Sequence, residues 1–192
     1  MDQILINSIL ATIVISILSL VGVVTFFIKN KTVNKITLYL VAFSTGALIG
    51  GAFLHLLPEA IESSDSFTPF IYLIIGISVF FILERFLKWH HCHKDSDCKV
   101  HTFTYMSLIG DGLHNFIDGL IIVSAFSISK EAGIATAIAV AAHELPQELG
   151  DFGVLIHGGF SRTKALFWNF ISSLTAIAGA VAGYLLISSF HN

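Results

Sequence analysis

Nine polar side chains crowd two short stretches of an otherwise apolar chain. One stretch holds Asp111, His114, Asn115 and Asp118, and the other His143, Glu144, Gln147, Glu148 and Asp151. Their spacing is helical. His114 and Asp118 are four apart, Asn115 precedes Asp118 by three, His143–Gln147 and Glu144–Glu148 are four apart, and Glu148–Asp151 three. On a helix such positions share a face, so two successive helices would present stripes of imidazole, carboxylate and amide to each other. Pro146 lies within the second stretch; it removes a backbone hydrogen bond and predicts a kink that could free a carbonyl. A nitrogen–oxygen donor set of this kind suits Zn²⁺ well and Fe²⁺ or Mn²⁺ acceptably. A bound dication would also neutralise carboxylates that apolar surroundings otherwise make costly. A proton relay uses the same residue types and competes with the metal reading.

The elements that must position these residues follow from composition. The chain has 192 residues, with 10 Lys+Arg and 13 Asp+Glu, a hydrophobic fraction of 55% and a net charge of −3. A soluble domain carries roughly a quarter charged residues, about twice what is present. An ordinary soluble protein and a disordered chain are excluded. Without a basic patch there is no footprint for nucleic acid, and two Cys cannot staple a secreted scaffold. What remains is an all-α, polytopic transmembrane helix bundle, with six predicted spans forming a single domain over 1–192. The spans lie at about 4–28, 36–59, 67–87, 103–128, 132–157 and 164–190. These are long continuous apolar runs, as helices crossing a bilayer require, not the ten-residue alternation of a barrel.

Nine of the ten basic residues fall in the loops after spans one, three and five, or at the edges of those spans; Lys130 alone falls on the other side. The asymmetry places those loops in the cytoplasm and both termini outside or in a lumen. The glycine pairs Gly46/Gly50 and Gly179/Gly183 are predicted to mark helix-packing faces. In span two, His55 and Glu59 flank Pro58 and read equally as a third wall of an ion pathway or as local, boundary residues. Asn169 is the one strongly polar side chain inside span six; it either completes a second ion position or bonds between helices.

Two motifs carry a family resemblance. Asp111-Gly112-Leu113-His114-Asn115-Phe116-Ile117-Asp118-Gly119-Leu120 and His143-Glu144-Leu145-Pro146-Gln147-Glu148-Leu149-Gly150-Asp151-Phe152 resemble the fourth- and fifth-span motifs of ZIP (Zrt/Irt-like) metal transporters. The HExPxELGD form is similar to the histidine-rich subgroup. Gly46 through Ala60 resembles the family's second span, so the likeness runs from about residue 36 to the end. The resemblance implies a primary metal position at His114, Asp118, His143 and Gln147. It implies a neighbouring one at Asn115, Asp118 and Glu144, with Gln147 a further candidate and Asn169 nearby. Asp111, Glu148 and Asp151, with His55, Glu59 and Asn169, are then pathway residues. It further implies transport of divalent metal, zinc above all, from outside or a lumen into the cytosol, with the ion as substrate, no catalytic cofactor, and room for a homodimer. Two departures stand out. Gln147 occupies a place where many relatives have His, and the family normally has eight spans, so the last two are expected to be missing.

Between spans three and four, residues 88–101 hold His90, His91, Cys92, His93, Cys98 and His101. Short Cys/His tracts are a compositional sign of metal capture, and the reading competes with a plain solvated linker. The spacing matches no closed structural zinc motif. Three functions are weighed: a transporter; a truncated, non-transporting fragment or partner subunit; and an intramembrane zinc protease. The protease needs His-Glu-x-x-His. Here Gln147 stands in place of the second His, behind Pro146, so an enzyme is not expected.

Overall fold

The computed structural model describes residues 3–64, 67–91 and 100–190, and among them every regular element is helical. The helices are α1 (Gln3–Leu18), α2 (Asn30–Gly51), α3 (Leu57–Ser63), α4 (Thr68–His91), α5 (Thr102–Ile128), α6 (Lys130–His157), α7 (Arg162–Ser173) and α8 (Thr175–Phe190). Each of the six apolar stretches becomes one helical run. Four of the runs are long and apolar enough to cross a membrane: Gln3–Phe27, Thr68–Leu87, Thr102–Ile128 and Arg162–Ser189. α6 carries the second polar stripe, which lowers its apolar character without shortening it. The protein is a polytopic helical membrane bundle.

Three runs contain irregular turns. α1 tightens into a 3₁₀ stretch over Ser19–Phe27. α2 widens into a π stretch over Ala52–Leu56 just before Pro58, which sits in the first turn of α3. A wide turn there accommodates a proline that cannot donate to the ladder. α7 and α8 are one run broken at Leu174. α6 continues as one helix through Pro146, while the turns that depart from α-helix beside the polar stripes are the 3₁₀ stretch after α1 and the α7–α8 break.

α5 is the central helix, packed against α8, α6, α1, α7 and, weakly, α4, while α2 lies along α6. Two apolar clusters bracket a polar middle. Ile15, Ile122, Phe126 and Val140 close one end. Phe152, Leu155, Phe160 and Ala165, with Tyr105 and Leu108, close the other. α4 exposes Phe70, Ile74, Ile77, Phe81 and Ile82 along its length, a surface suited to hydrocarbon rather than water.

The glycine pairs divide. A Cβ added at Gly179 would run into the backbone carbonyl of Phe116, and one at Gly119 into the carbonyl of Ala176, so α5 and α8 cross nearly backbone to backbone. Gly46 and Gly50 meet nothing within 4 Å. The packing face predicted there has no partner among the described residues, because α2 turns other positions, such as Leu40, toward α6 at Gly153.

Hydroxyls pack α1 against α7. Ser8, Thr12, Ser16 and Ser19 are buried along one face of α1. Ser16 Oγ donates to the Ser173 carbonyl (2.9 Å) and Ser173 Oγ to Ser19 Oγ (3.1 Å). Span one, which reads as apolar in sequence, thus carries a buried hydroxyl row, whose Ser16 and Ser19 bond Ser173 of α7 while Ser8 and Thr12 bond back into α1. At one end, Arg162 Nη1 donates to the carbonyls of Thr25 (2.5 Å) and Ile28 (3.1 Å), tying the end of the 3₁₀ stretch to the start of α7. Charged hydrogen bonds to helix-end carbonyls contribute about 2 kcal/mol. Arg162→Ala is therefore expected to lower the melting temperature of the detergent-purified protein by several degrees; an unchanged melt would show that the tie does not bear on stability.

Candidate metal centre

The two polar stripes face each other across the α5–α6 contact. One ligand atom each from His114, Asp118, His143 and Glu144 falls within 4.8 Å of all the others. His114 Nε2 lies 3.2 Å from Glu144 Oε1 and 3.7 Å from Asp118 Oδ2. His143 Nε2 lies 3.3 Å from Asp118 Oδ2 and 3.8 Å from Glu144 Oε1. The imidazoles meet edge to face at 5.6 Å. Each ring nitrogen is thus shared between the same two carboxylates, one from each helix. Nδ1 of His143 faces the Ala139 carbonyl at 3.1 Å, which favours a proton there and leaves Nε2 as the coordinating lone pair.

Burial is uneven in a way that matters. The carboxylates are deep, with Asp118 at 4% and Glu144 at 1% exposure. The imidazoles are half-open, at 36% and 47%. The carboxylates of the site are sheltered by the bundle and the imidazoles stand at its rim. Beyond the two imidazoles at Oε1, Glu144 has no hydrogen-bond partner among the described residues. A buried carboxylate short of donors is costly in any apolar medium, and a cation held between two carboxylates and two imidazoles removes that cost. Two imidazole nitrogens and two carboxylate oxygens are a donor set of the kind Zn²⁺ takes.

A second polar layer adjoins it. Asp111, Asn115, Glu148, Asp151 and Asn169 are all buried. Asn115 Nδ2 donates to Asp111 Oδ1 at 2.9 Å. Ser172 Oγ donates to Asp111 Oδ2, Asn169 Nδ2 to Glu148 Oε2, and Ser107 Oγ to Asp151 Oδ1 at 3.4 Å. The ion pairs that reach the buried carboxylates of α5 and α6 are those with His114 and His143. Five buried carboxylates stand against two imidazoles, an excess of acidic groups that a bound cation would offset.

Not every expected residue joins the cluster. Glu144, which the resemblance assigns to the neighbouring position, lies together with His114, Asp118 and His143. Gln147 is half-buried one turn further along α6. Asn169 bonds Glu148, so its interhelical reading is realised. Glu59 stands exposed in the first turn of α3, which packs on the adjoining π stretch and on α4, and His55 falls in that π stretch. Cys92, His93 and Cys98 lie outside the described residues. His90 and His91 end α4, and His101 precedes α5, its ring stacked on Phe103 at 5.4 Å. Ser107, Ser172 and Ser173 were not singled out by sequence. The spacing of Asn169, Ser172 and Ser173, at i, i+3 and i+4, is the signal that could have found two of them.

Comparison with known proteins places these motifs. The family model described as ZIP Zinc transporter matches residues 2–96 and 88–192. The chain is 43% identical over 108 residues to the human protein named zinc transporter ZIP10, covering 50% of this chain and 13% of that protein. It is 28% identical to the Xenopus tropicalis metal cation symporter ZIP14, covering 93% of this chain and 54% of the relative. It is 53% identical over 75 residues to mouse zinc transporter ZIP4, covering 39% and 11% respectively. The chain thus spans about half the length, or less, of these curated relatives. No solved structure matches it.

Proposed function

From the premise that this chain belongs to the ZIP zinc transporter family, we propose that it moves a divalent metal, zinc first, from the extracellular or lumenal side into the cytoplasm. The path runs between α5 and α6. His114, Asp118, His143 and Glu144 hold the ion, with Asn115 and Gln147 as adjoining ligands, and Asp111, Glu148, Asp151 and Asn169 line the way beyond. The observation that carries this reading is the set of four ligand atoms within 4.8 Å in a membrane bundle, two of them on carboxylates buried to at least 96% by whole-residue exposures of 4% and 1%. Intramembrane ionisable groups mark ion pathways, and this donor set fits a dication better than a proton chain, because both imidazoles address the same two carboxylates rather than forming a line.

Inward direction is what the family likeness implies, and the basic loops supply the orientation it is measured against. Nine of ten Lys and Arg lie on one side, which by the positive-inside rule is cytoplasmic. The residues at 88–101 then sit on the receiving side, where imidazole and thiol groups would accept released metal. The chain acts as a carrier rather than an enzyme: Gln147 replaces the second His of a zinc protease motif, and an amide is a poor substitute ligand.

The test is uptake of labelled Zn²⁺ into proteoliposomes reconstituted with the purified chain. Saturable accumulation above empty vesicles is expected, with competition by Cd²⁺ or Fe²⁺ and none by Mg²⁺, which retains its water and prefers oxygen-only octahedra. Accumulation equal to empty vesicles, with the protein inserted and folded, would favour a non-transporting subunit instead.

A further inference from the structure

A buried asparagine amide has two unlike ends. Its oxygen can bind a cation and its NH₂ repels one. Which end faces an ion pathway is therefore decided by whatever holds the other end. Here both buried asparagines near the cluster are held the same way. Asn115, with no exposed surface, donates Nδ2 to Asp111 Oδ1 at 2.9 Å and to the Asp111 carbonyl at 3.2 Å. Its Oδ1 has no partner among the described residues. Asn169, equally buried, donates Nδ2 to Glu148 Oε2, to the Glu148 carbonyl at 3.4 Å and to the Ser19 carbonyl at 3.5 Å, and its Oδ1 is likewise without a partner among the described residues.

The orientation is set by the acceptors gathered around each NH₂. A backbone carbonyl only accepts hydrogen bonds, and at each asparagine a carboxylate oxygen accepts beside one. Asp111 takes one from Asn115 and, through its second oxygen, one from the Ser172 hydroxyl. Turning the Asn115 amide over would press its oxygen against Asp111 Oδ1 at hydrogen-bond distance, oxygen on oxygen. The same holds for Asn169 against Glu148. Each pair therefore leaves one carbonyl oxygen, buried and unsatisfied, in a region rich in negative charge. An unsatisfied buried acceptor is destabilising, and a cation ligated by it relieves that cost.

We propose that Asp111 and Glu148 are positioning residues: their carboxylates fix the amides of Asn115 and Asn169 so that both present carbonyl oxygens, not NH₂ groups, to a passing cation. The inference rests on reading the α5–α6 cluster as the transport path. It assigns to Asp111 and Glu148 a role one step removed from the ion, acting through the asparagines rather than as ligands in their own right.

The test uses half-saturation and maximal rate of Zn²⁺ uptake in proteoliposomes. Asp111→Asn keeps the shape but can donate or accept, so it no longer fixes the amide of residue 115. Half-saturation is expected to rise about tenfold, the loss of one charge-assisted constraint, with maximal rate per folded molecule little changed. The exchange variant Asp111→Asn with Asn115→Asp restores a fixed polarity: residue 111 now donates and residue 115 keeps a free oxygen. It is expected to return half-saturation to within about threefold of the parent, or below it. A residue serving only to hold the fold would lower the amount of folded protein or its maximal rate and would not shift half-saturation. Glu148→Gln and the exchange Glu148→Gln with Asn169→Asp provide a second, independent pair should the first fail to fold. Unchanged half-saturation in both single variants overturns the proposal, as does failure of both exchanges to recover. If uptake survives loss of His143 and Asp118, the site reading itself falls. If that loss abolishes uptake while Asp111→Asn and Glu148→Gln behave as the parent, only the positioning inference falls.

Discussion

Saturable zinc uptake is expected to disappear when His143 and Asp118 are replaced together by alanine. These two residues face each other across the α5–α6 contact at 3.3 Å, and removing them takes one imidazole and one carboxylate from a four-ligand set. Changes to groups that merely orient metal ligands cost roughly ten- to a hundredfold in affinity; the loss of two direct ligands should cost at least about a hundredfold. At micromolar zinc, uptake should fall to the level of empty vesicles. The fold should survive. His143 is half-exposed, so its truncation opens little cavity, and deleting the buried Asp118 carboxylate removes a charge the bundle must otherwise shelter. Insertion and melting temperature measured on the same preparation separate loss of binding from loss of structure. Replacing Glu84, an exposed carboxylate on α4, provides a comparison in which uptake should be retained. Uptake by the double variant at the parent level would place the ion path elsewhere.

The second large effect concerns two glycine pairs that look alike in sequence. Gly179→Val should prevent stable folding, because its Cβ would overlap the Phe116 carbonyl, a backbone atom that cannot rotate aside. Overpacking against flexible side chains costs about 1–3 kcal/mol; a clash with backbone at the crossing of α5 and α8 should exceed about 3 kcal/mol. Since α5 carries His114 and Asp118 and is held by α8, metal binding should go with it. Gly46→Val, with open space around the site, should change stability by no more than about 0.5 kcal/mol. The comparison is read from monodisperse yield and thermal melts in detergent. Equal tolerance at both positions would contradict the close α5–α8 crossing.

That contrast shows where sequence reasoning stops. Four-residue spacing between glycines is local information, and it says that a helix could be approached closely. Whether another helix arrives is a property of the assembly. Gly179 meets α5, and Gly46 meets nothing among the described residues. Proline shows the same limit. Pro58 and Pro146 are equally visible in sequence, yet the wide turn lies beside Pro58, and α6 runs on through Pro146.

By itself, the sequence determined the solvent and the chemistry. With 10 basic and 13 acidic residues in 192, burial in water could not account for the apolar surface, so the helices had to meet lipid. Helical periodicity then put His114 with Asp118 and Glu144 with Glu148 on common faces, because spacing within one helix is fixed by backbone geometry alone. Only the tertiary structure decided which stripes meet and in what register. It brought Glu144 beside His114, set Ser172 against Asp111, joined Ser16 and Ser19 to Ser173 of α7, and left the side-chain oxygens of Asn115 and Asn169 unpartnered among the described residues. The physical reason is that register between helices is set by the summed fit of many side chains, here the backbone contact at Gly119 and Gly179 and the apolar clusters at either end. No single helix contains that sum.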